Sequence, residues 1–276
     1  MDRVLGIVLL VLIVLAGWIF IYEAKQHALL DMDPQTELRA LDDAEVAAML
    51  PDFAQIADVR EKKQAFFDYL LPAVEQANGI IMQERDWLLS LNPQQLSAED
   101  HALLTALAEK YQQPHKDKQS LVEWHKALLK KVDVIPPSLA LAQAANESAW
   151  GTSRFAIEAF NLYGQWCFSP GCGLVPTGRP AGKTYEVRLF VSPQASVEAY
   201  MLNLNAFHSY REMRQIRLKL RENKKPLLGT ALARGLIAYS QRREAYVKEI
   251  KSMIRFNQLE QLDLQEANTN YAFNQD

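Results

Sequence analysis

Glu147 is the residue in this chain best placed to do acid chemistry. It stands in the stretch PPSLALAQAANESAWGTSRFAIEAFNLYG, Pro136 to Gly164, beside Trp150 and among alanines. A carboxyl in the last turn of an apolar helix meets the negative end of the helix dipole and little water. Both disfavour its ionised form. The only cation close by in sequence is Arg154. A carboxyl kept protonated near neutral pH in this way has what a general acid needs. A structural Glu bonded to a nearby Ser or backbone amide would suit the same position.

The helix that carries Glu147 is readable from its own residues. Pro136 and Pro137 suit a helix start, where the missing N–H is not needed. Leu139, Ala142, Gln143, Asn146 and Trp150 recur at helical steps, and Leu141, Ala144, Ala145 and Ala149 fill most of the remaining face. A helix that is apolar nearly all round is expected to be buried. Gly151 suits the left-handed position that stops it. A second helix and a turn at Asn161 to Gly164 follow.

AQAANESAWGTSRFA followed by NLYG resembles the autolysin and flagellar-type endo-β-N-acetylglucosaminidases, a lysozyme-like glycoside hydrolase family, and WCFSPGCGLVP is similar to its Bax protein subfamily. Two further blocks agree, VRLFVSPQASVEAY and ARGLIAYSQRREAYVKEI, and the likeness runs from about Val132 to Leu259. It implies a mainly α (α+β) fold, a lysozyme-like helical catalytic domain with a small β-hairpin lobe. It also implies cleavage of β-1,4 bonds beside N-acetylglucosamine in peptidoglycan, with Glu147 as the acid.

The family often carries a second carboxylate on the β-lobe. Between Phe160 and Glu186 this chain has neither Asp nor Glu, so Glu186 is the nearest candidate. A strand carboxylate paired to Lys183 or Arg188 is the other reading of it. Without a second acid, the substrate's acetamido group could assist, or Glu147 could serve as both acid and base, as in lytic transglycosylases. Tyr239 and Tyr246 match the family's paired tyrosines, although the turn between them reads SQRRE where relatives often have Asp-Pro. Trp150, Tyr163, Trp166 and Phe168 are candidates to stack on sugar rings or to sit in the core. Arg154 would contact substrate or hold the last carbonyls of the Glu147 helix. A binding-only wall module is the reading from another functional class.

Bulk properties narrow the field. A net charge of −3 over 276 residues gives no electrostatic case for nucleic acid. There is no P-loop, GxGxxG or zinc-type spacing, and His27, His101, His115, His125 and His208 are scattered, so no metal or cofactor is expected. Val4 to Tyr22 is free of charge and ends in Trp18, Phe20 and Tyr22. Such a run nearly spans a hydrocarbon core of about 30 Å, so an uncleaved signal anchor is expected rather than a cleaved signal peptide. Arg3 before it and an acidic flank after it orient the bulk of the chain outside the inner membrane, in the periplasm. There Cys167 and Cys172, the only cysteines, could close a short loop as a disulfide or remain as buried thiols.

The elements that must position these groups fall into five stretches: an anchor at 1–25, a stalk at 26–44, a helical region at 45–130, the catalytic part at 131–262 and a polar tail at 263–276. Within the helical region, Pro72 is expected to kink a long helix without ending it, and Ser97 and Ser120 are expected to cap two more. This region is expected to pack on the catalytic helices. Residues 183 to 191 read as a strand partnered by Gln165 to Val175. Helices are expected from Ser192 to Ser209, Met213 to Leu220, Leu228 to Ala238 and Arg242 to Asn257.

Overall fold

Helix starts in the structure, a computed structural model that describes residues 49–265, follow local chemistry closely. Helix α1 (Val59–Ser90) begins where the Asp58 carboxylate accepts from the N–H groups of Arg60 and Glu61, and it runs through Pro72 without a break. Helices α2 (Ala98–Lys110) and α3 (Leu121–Leu129) each open on a capping box, Ser97 with Asp100 and Ser120 with Glu123. In both, the serine hydroxyl and the acid three residues on satisfy donors that the helix leaves orphaned.

Helix α4 (Pro137–Ser148) carries Glu147, and every residue in it except Asn146 and Glu147 is buried. It is covered by α1, by the short α8 (Gly229–Leu232) and by α9 (Glu244–Phe256), while α6 (Pro193–Ala206) also packs on α1. Helices α5 (Arg154–Ala159) and α7 (Arg211–Glu222) lie on either side of α6 in the chain. One apolar core joins Phe66 and Leu70 of α1 and Trp124 of α3 to Leu141, Tyr200 and Ile250. It is continuous across residue 130, where the sequence suggests a domain boundary.

That crossing is also tied electrostatically. Asp133, buried, ion-pairs with Arg85 of α1 and with Arg217 and Arg221 of α7. Burial alone would raise its carboxyl, but the three guanidiniums hold it below the usual range. Arg217 also donates to the carbonyls of Lys130, Lys131, Asp133 and Val134, so the connection into α4 is fixed from α7.

The β-lobe departs from a simple hairpin. Strand β3 (Glu186–Arg188) lies between β1 (Trp166–Cys167) and β2 (Gly173–Leu174), antiparallel to both. The expected partner segment thus supplies two short strands, because the Cys167–Cys172 disulfide closes the turn that separates them and lets it straddle β3. Near the C-terminal end, the expected helix from Leu228 to Ala238 is only α8 followed by a 3₁₀ turn at Ala233–Gly235. Gly235 packs directly on the Met213 backbone there, with no room for a Cβ.

The C-terminal stretch that begins at residue 263 opens on a buried side chain. Asp263 is buried, and its carboxylate accepts from Ser138 N–H (2.9 Å), Ser138 Oγ–H (2.6 Å) and Gly229 N–H (2.8 Å). These groups open α4 and α8, which have no side-chain cap of their own. Asp263 therefore caps two helices from a distance, and burial pushes its carboxyl up to about 6 against those bonds. Gly229 permits the approach, since a Cβ there would lie 2.1 Å from Ser138 Oγ. Residues 266–276, the expected Val4 to Tyr22 anchor and the stalk lie outside the described residues. No helix among the described residues is long and apolar enough to cross a membrane.

Asp263→Ala leaves these buried donors without an acceptor. It is expected to destabilise the protein by about 3 kcal/mol in urea unfolding, whereas Leu264→Ala, at an exposed site, should cost under about 0.5 kcal/mol. Equal effects from the two would contradict the capping role.

Candidate active site

The end of α4 is where the site is made. Three residues in succession are left-handed, Ala149 (φ 51°), Trp150 (φ 62°) and Gly151 (φ 76°), so the helix stops at Ser148 rather than at Gly151. Ser148 locks the reversal by donating to Ala144 O and accepting from Gly151 N–H. A Cβ on Gly151 would strike the Phe53 ring at 2.6 Å. Trp150 leaves the helical stripe and turns toward α1. It meets Phe66 and Phe67 edge-on at 5.9 and 5.2 Å, and the Lys63 ammonium sits 5.0 Å from its ring centre. It docks α1 to the end of α4.

Glu147, the penultimate helical residue, is half-buried. Asn146 donates to its Oε1 at 3.3 Å, the Tyr246 hydroxyl bonds to it, and Gly164 (φ 65°) lies against Oε2. Its carboxyl is raised, because burial outweighs the opposing pull of the Tyr246 and Asn146 bonds and of the nearby Arg242 guanidinium; Glu249 adds a small push upward. Arg154 takes no part in this. It pairs with Glu158 at 3.7 Å and donates to Val175 O, tying α5 to the lobe, so it does not hold the last carbonyls of α4.

Behind Glu147 the tyrosines are stacked and bonded in order. The rings of Tyr239 and Tyr246 are parallel within 9° at 5.4 Å, and the Tyr239 hydroxyl donates to Tyr163 O at 3.0 Å. The Tyr246 oxygen accepts from Gln143 Nε2 at 2.8 Å, and Gln143 Oε1 accepts from the Tyr200 hydroxyl at 2.7 Å. Tyr163 is buried with its ring flat on Tyr200, 3.8 Å between centroids. It is a core residue of the site wall rather than a surface for sugar. Gln143 and Tyr200 escaped the sequence reading of the site. A glutamine on a helix that is buried all round must find partners, and that was the available signal.

Glu186 is buried in β3, opposite Cys167, and both of its oxygens are engaged. Oε1 accepts from Gly171 N–H at 3.1 Å and Oε2 from Gly173 N–H at 2.9 Å. Its bonds therefore go to the disulfide loop and not to Lys183 or Arg188. The Cys167 and Cys172 sulfurs lie close to this carboxylate but are bonded to each other, which leaves no thiolate for a metal. Trp166 keeps an open surface: it is 53 % exposed, with one side flat on Tyr185 at 4.4 Å, and Phe168 beside it is 70 % exposed.

A half-buried acid at a helix end, two stacked tyrosines behind it and a disulfide-closed lobe beside it form one unit, and residues 122–259, which hold all of it, match the profile of the glucosaminidase family, described as mannosyl-glycoprotein endo-beta-N-acetylglucosaminidase. The chain belongs to the glucosaminidase family. It is also similar to protein bax of Escherichia coli (strain K12), with 32 % identity over 213 residues, 77 % of this chain and 76 % of that protein. That likeness reaches beyond the family region and supports the Bax-type subfamily. No solved structure matches the chain.

The raised Glu147 carboxyl has a consequence for stability. The folded state holds its proton more tightly than the unfolded state does. Its contribution is thus full below the ordinary carboxylate range and is lost as pH rises through the folded midpoint. Glu147→Gln removes that loss. The variant is expected to melt above the parent at about pH 8, with the gain shrinking toward about pH 4. A melting difference that does not vary with pH would contradict the raised carboxyl.

Proposed function

We propose that this protein is an endo-β-N-acetylglucosaminidase that cleaves the β-1,4 bond beside N-acetylglucosamine in peptidoglycan. The observation that carries the reading is Glu147 itself, desolvated enough to hold a proton yet bonded to Tyr246, which favours the carboxylate left behind. In this scheme the Glu147 O–H gives its proton to the glycosidic oxygen as the bond from that oxygen to the anomeric carbon breaks. Positive charge develops at that carbon, and the acetamido group of the same sugar is positioned to share it. Water completes the hydrolysis, with the Glu147 carboxylate as base. Tyr246 and Tyr239 line the acid side, and Trp166 with Phe168 offers the aromatic surface on which a sugar ring would stack.

This scheme does not call on Glu186, whose two oxygens hold the loop at Gly171 and Gly173. That engagement also favours a second reading, a lytic transglycosylase, in which Glu147 acts alone and a sugar hydroxyl attacks in place of water. A binding-only module is less well supported, since a glycan platform needs no desolvated acid backed by bonded tyrosines. The family's link to the cell wall, the bonded cysteines and the apolar Val4 to Tyr22 run together support a periplasmic catalytic part anchored in the inner membrane.

Digestion of purified peptidoglycan by the full-length protein, with fragments read by mass spectrometry, tests this. Reducing N-acetylglucosamine ends are expected, lowered by about 10²- to 10⁴-fold in Glu147→Gln. Glu186→Gln should still cleave, at a lower melting temperature. Anhydro ends would move the reaction to the transglycosylase class. Loss of cleavage in a folded Glu186→Gln variant would make that residue the second acid, and no cleavage by the parent would leave a wall-binding module.

A further inference from the structure

We propose that Gln143 and Tyr200 are positioning residues that fix the direction of the Tyr246 hydroxyl, so that it donates to Glu147 and to nothing else. The proposal rests on the reading of Glu147 as the acid and adds to it how that acid is made ready to give up its proton.

Tyr200, on α6, is fully buried, and its hydroxyl donates to Gln143 Oε1. Because Oε1 is the acceptor end of the amide, the end that faces Tyr246 must be Nε2, which only donates. Gln143 Nε2 accordingly donates to the Tyr246 oxygen. That leaves the Tyr246 proton free for Glu147, which lies one turn on from Gln143 on the same face of α4 and whose charge Tyr246 feels. Turning the amide round would place Nε2 against Tyr200 and leave the Tyr200 proton buried without an acceptor, so the reversed chain is disfavoured. Tyr200 thus sets the orientation of a group two bonds away from it.

The direction matters for the chemistry. A hydroxyl that donates to a carboxyl favours its ionised form. The chain therefore stabilises the negative charge that develops on Glu147 as its proton leaves, while burial keeps the proton in place beforehand. Other groups near the carboxyl do not depend on the amide. Arg242 and Glu249 act on it from the α9 side, and Tyr239 and Tyr210 lie near enough to sense its charge.

Tyr200→Phe deletes a single oxygen and keeps the ring that stacks on Tyr163; Gln143→Met removes the amide at similar volume. In the full-length protein labelled with carboxyl-¹³C glutamate, the Glu147 resonance is identified by its loss in Glu147→Gln. Its titration midpoint is expected to rise by about one unit in both variants, the size of one weakened charge-assisted bond. The kcat on peptidoglycan should fall about tenfold with little change in KM, and the alkaline limb of the rate should move upward with the midpoint. Tyr210→Phe, outside the chain, should leave the midpoint in place.

An unchanged midpoint in folded Tyr200→Phe and Gln143→Met would overturn the proposal, as would an equal rise in Tyr210→Phe. If one of the first two variants does not fold, the other decides. If the parent cleaves no glycan but the midpoint still rises, the positioning chain stands and the enzymatic reading falls.

Discussion

Helix α4 is buried nearly all round, and that constraint organises the molecule. A surface helix needs one covering partner, but α4 needs cover all round. Helices α1, α8 and α9 pack on it, and Asp263 reaches in from the far end of the described chain to cap it. Only its C-terminal end escapes enclosure, and the sole carboxylate in the helix stands there. The same burial that drives the fold, at about 25 cal/mol per Å² of apolar surface, also sets the acidity of Glu147.

At that end, opposing effects of similar kind are set against each other. Burial raises the Glu147 carboxyl, while Tyr246, Asn146 and Arg242 pull it down, and burial wins. Asp133 shows the opposite outcome within the same molecule: it is buried more completely, yet three arginines hold it ionised. The difference lies in what surrounds each carboxyl. Guanidiniums in direct contact make a structural anion at Asp133, whereas hydroxyl and amide donors with a more distant cation leave Glu147 able to carry a proton. Beside it the β-lobe is held by a disulfide and by the two bonds to Glu186, so the wall at Gly164 rests on a braced support.

Much of this was legible locally. The caps at Ser97 and Ser120, the proline start of α4, the passage through Pro72 and the placing of Glu147 at a helix end all depend on neighbours within a few residues. What could not be read depends on contacts far apart in sequence. Nothing near Glu186 in sequence announces that its partners are the N–H groups of Gly171 and Gly173. Trp150 followed the helical period, but three left-handed residues carry it out of the helix onto α1. Tyr163 looked like a cleft aromatic until Tyr200 covered its face. Asp263 sat in a polar stretch, yet its partners are the starts of two helices remote in the chain. The Tyr200–Gln143–Tyr246 order needed α4, α6 and α9 brought together, which composition alone does not reveal.

We propose that the end of α4 delivers its acid to a glycosidic oxygen. A crystal structure of the Glu147→Gln variant with a bound peptidoglycan fragment should then show the residue 147 side chain about 3 Å from the bridging oxygen, with Tyr246 behind it and the acetamido group turned toward the anomeric carbon. A fragment bound with its glycosidic bond elsewhere, against Glu186 for instance, and with residue 147 out of reach, would contradict it.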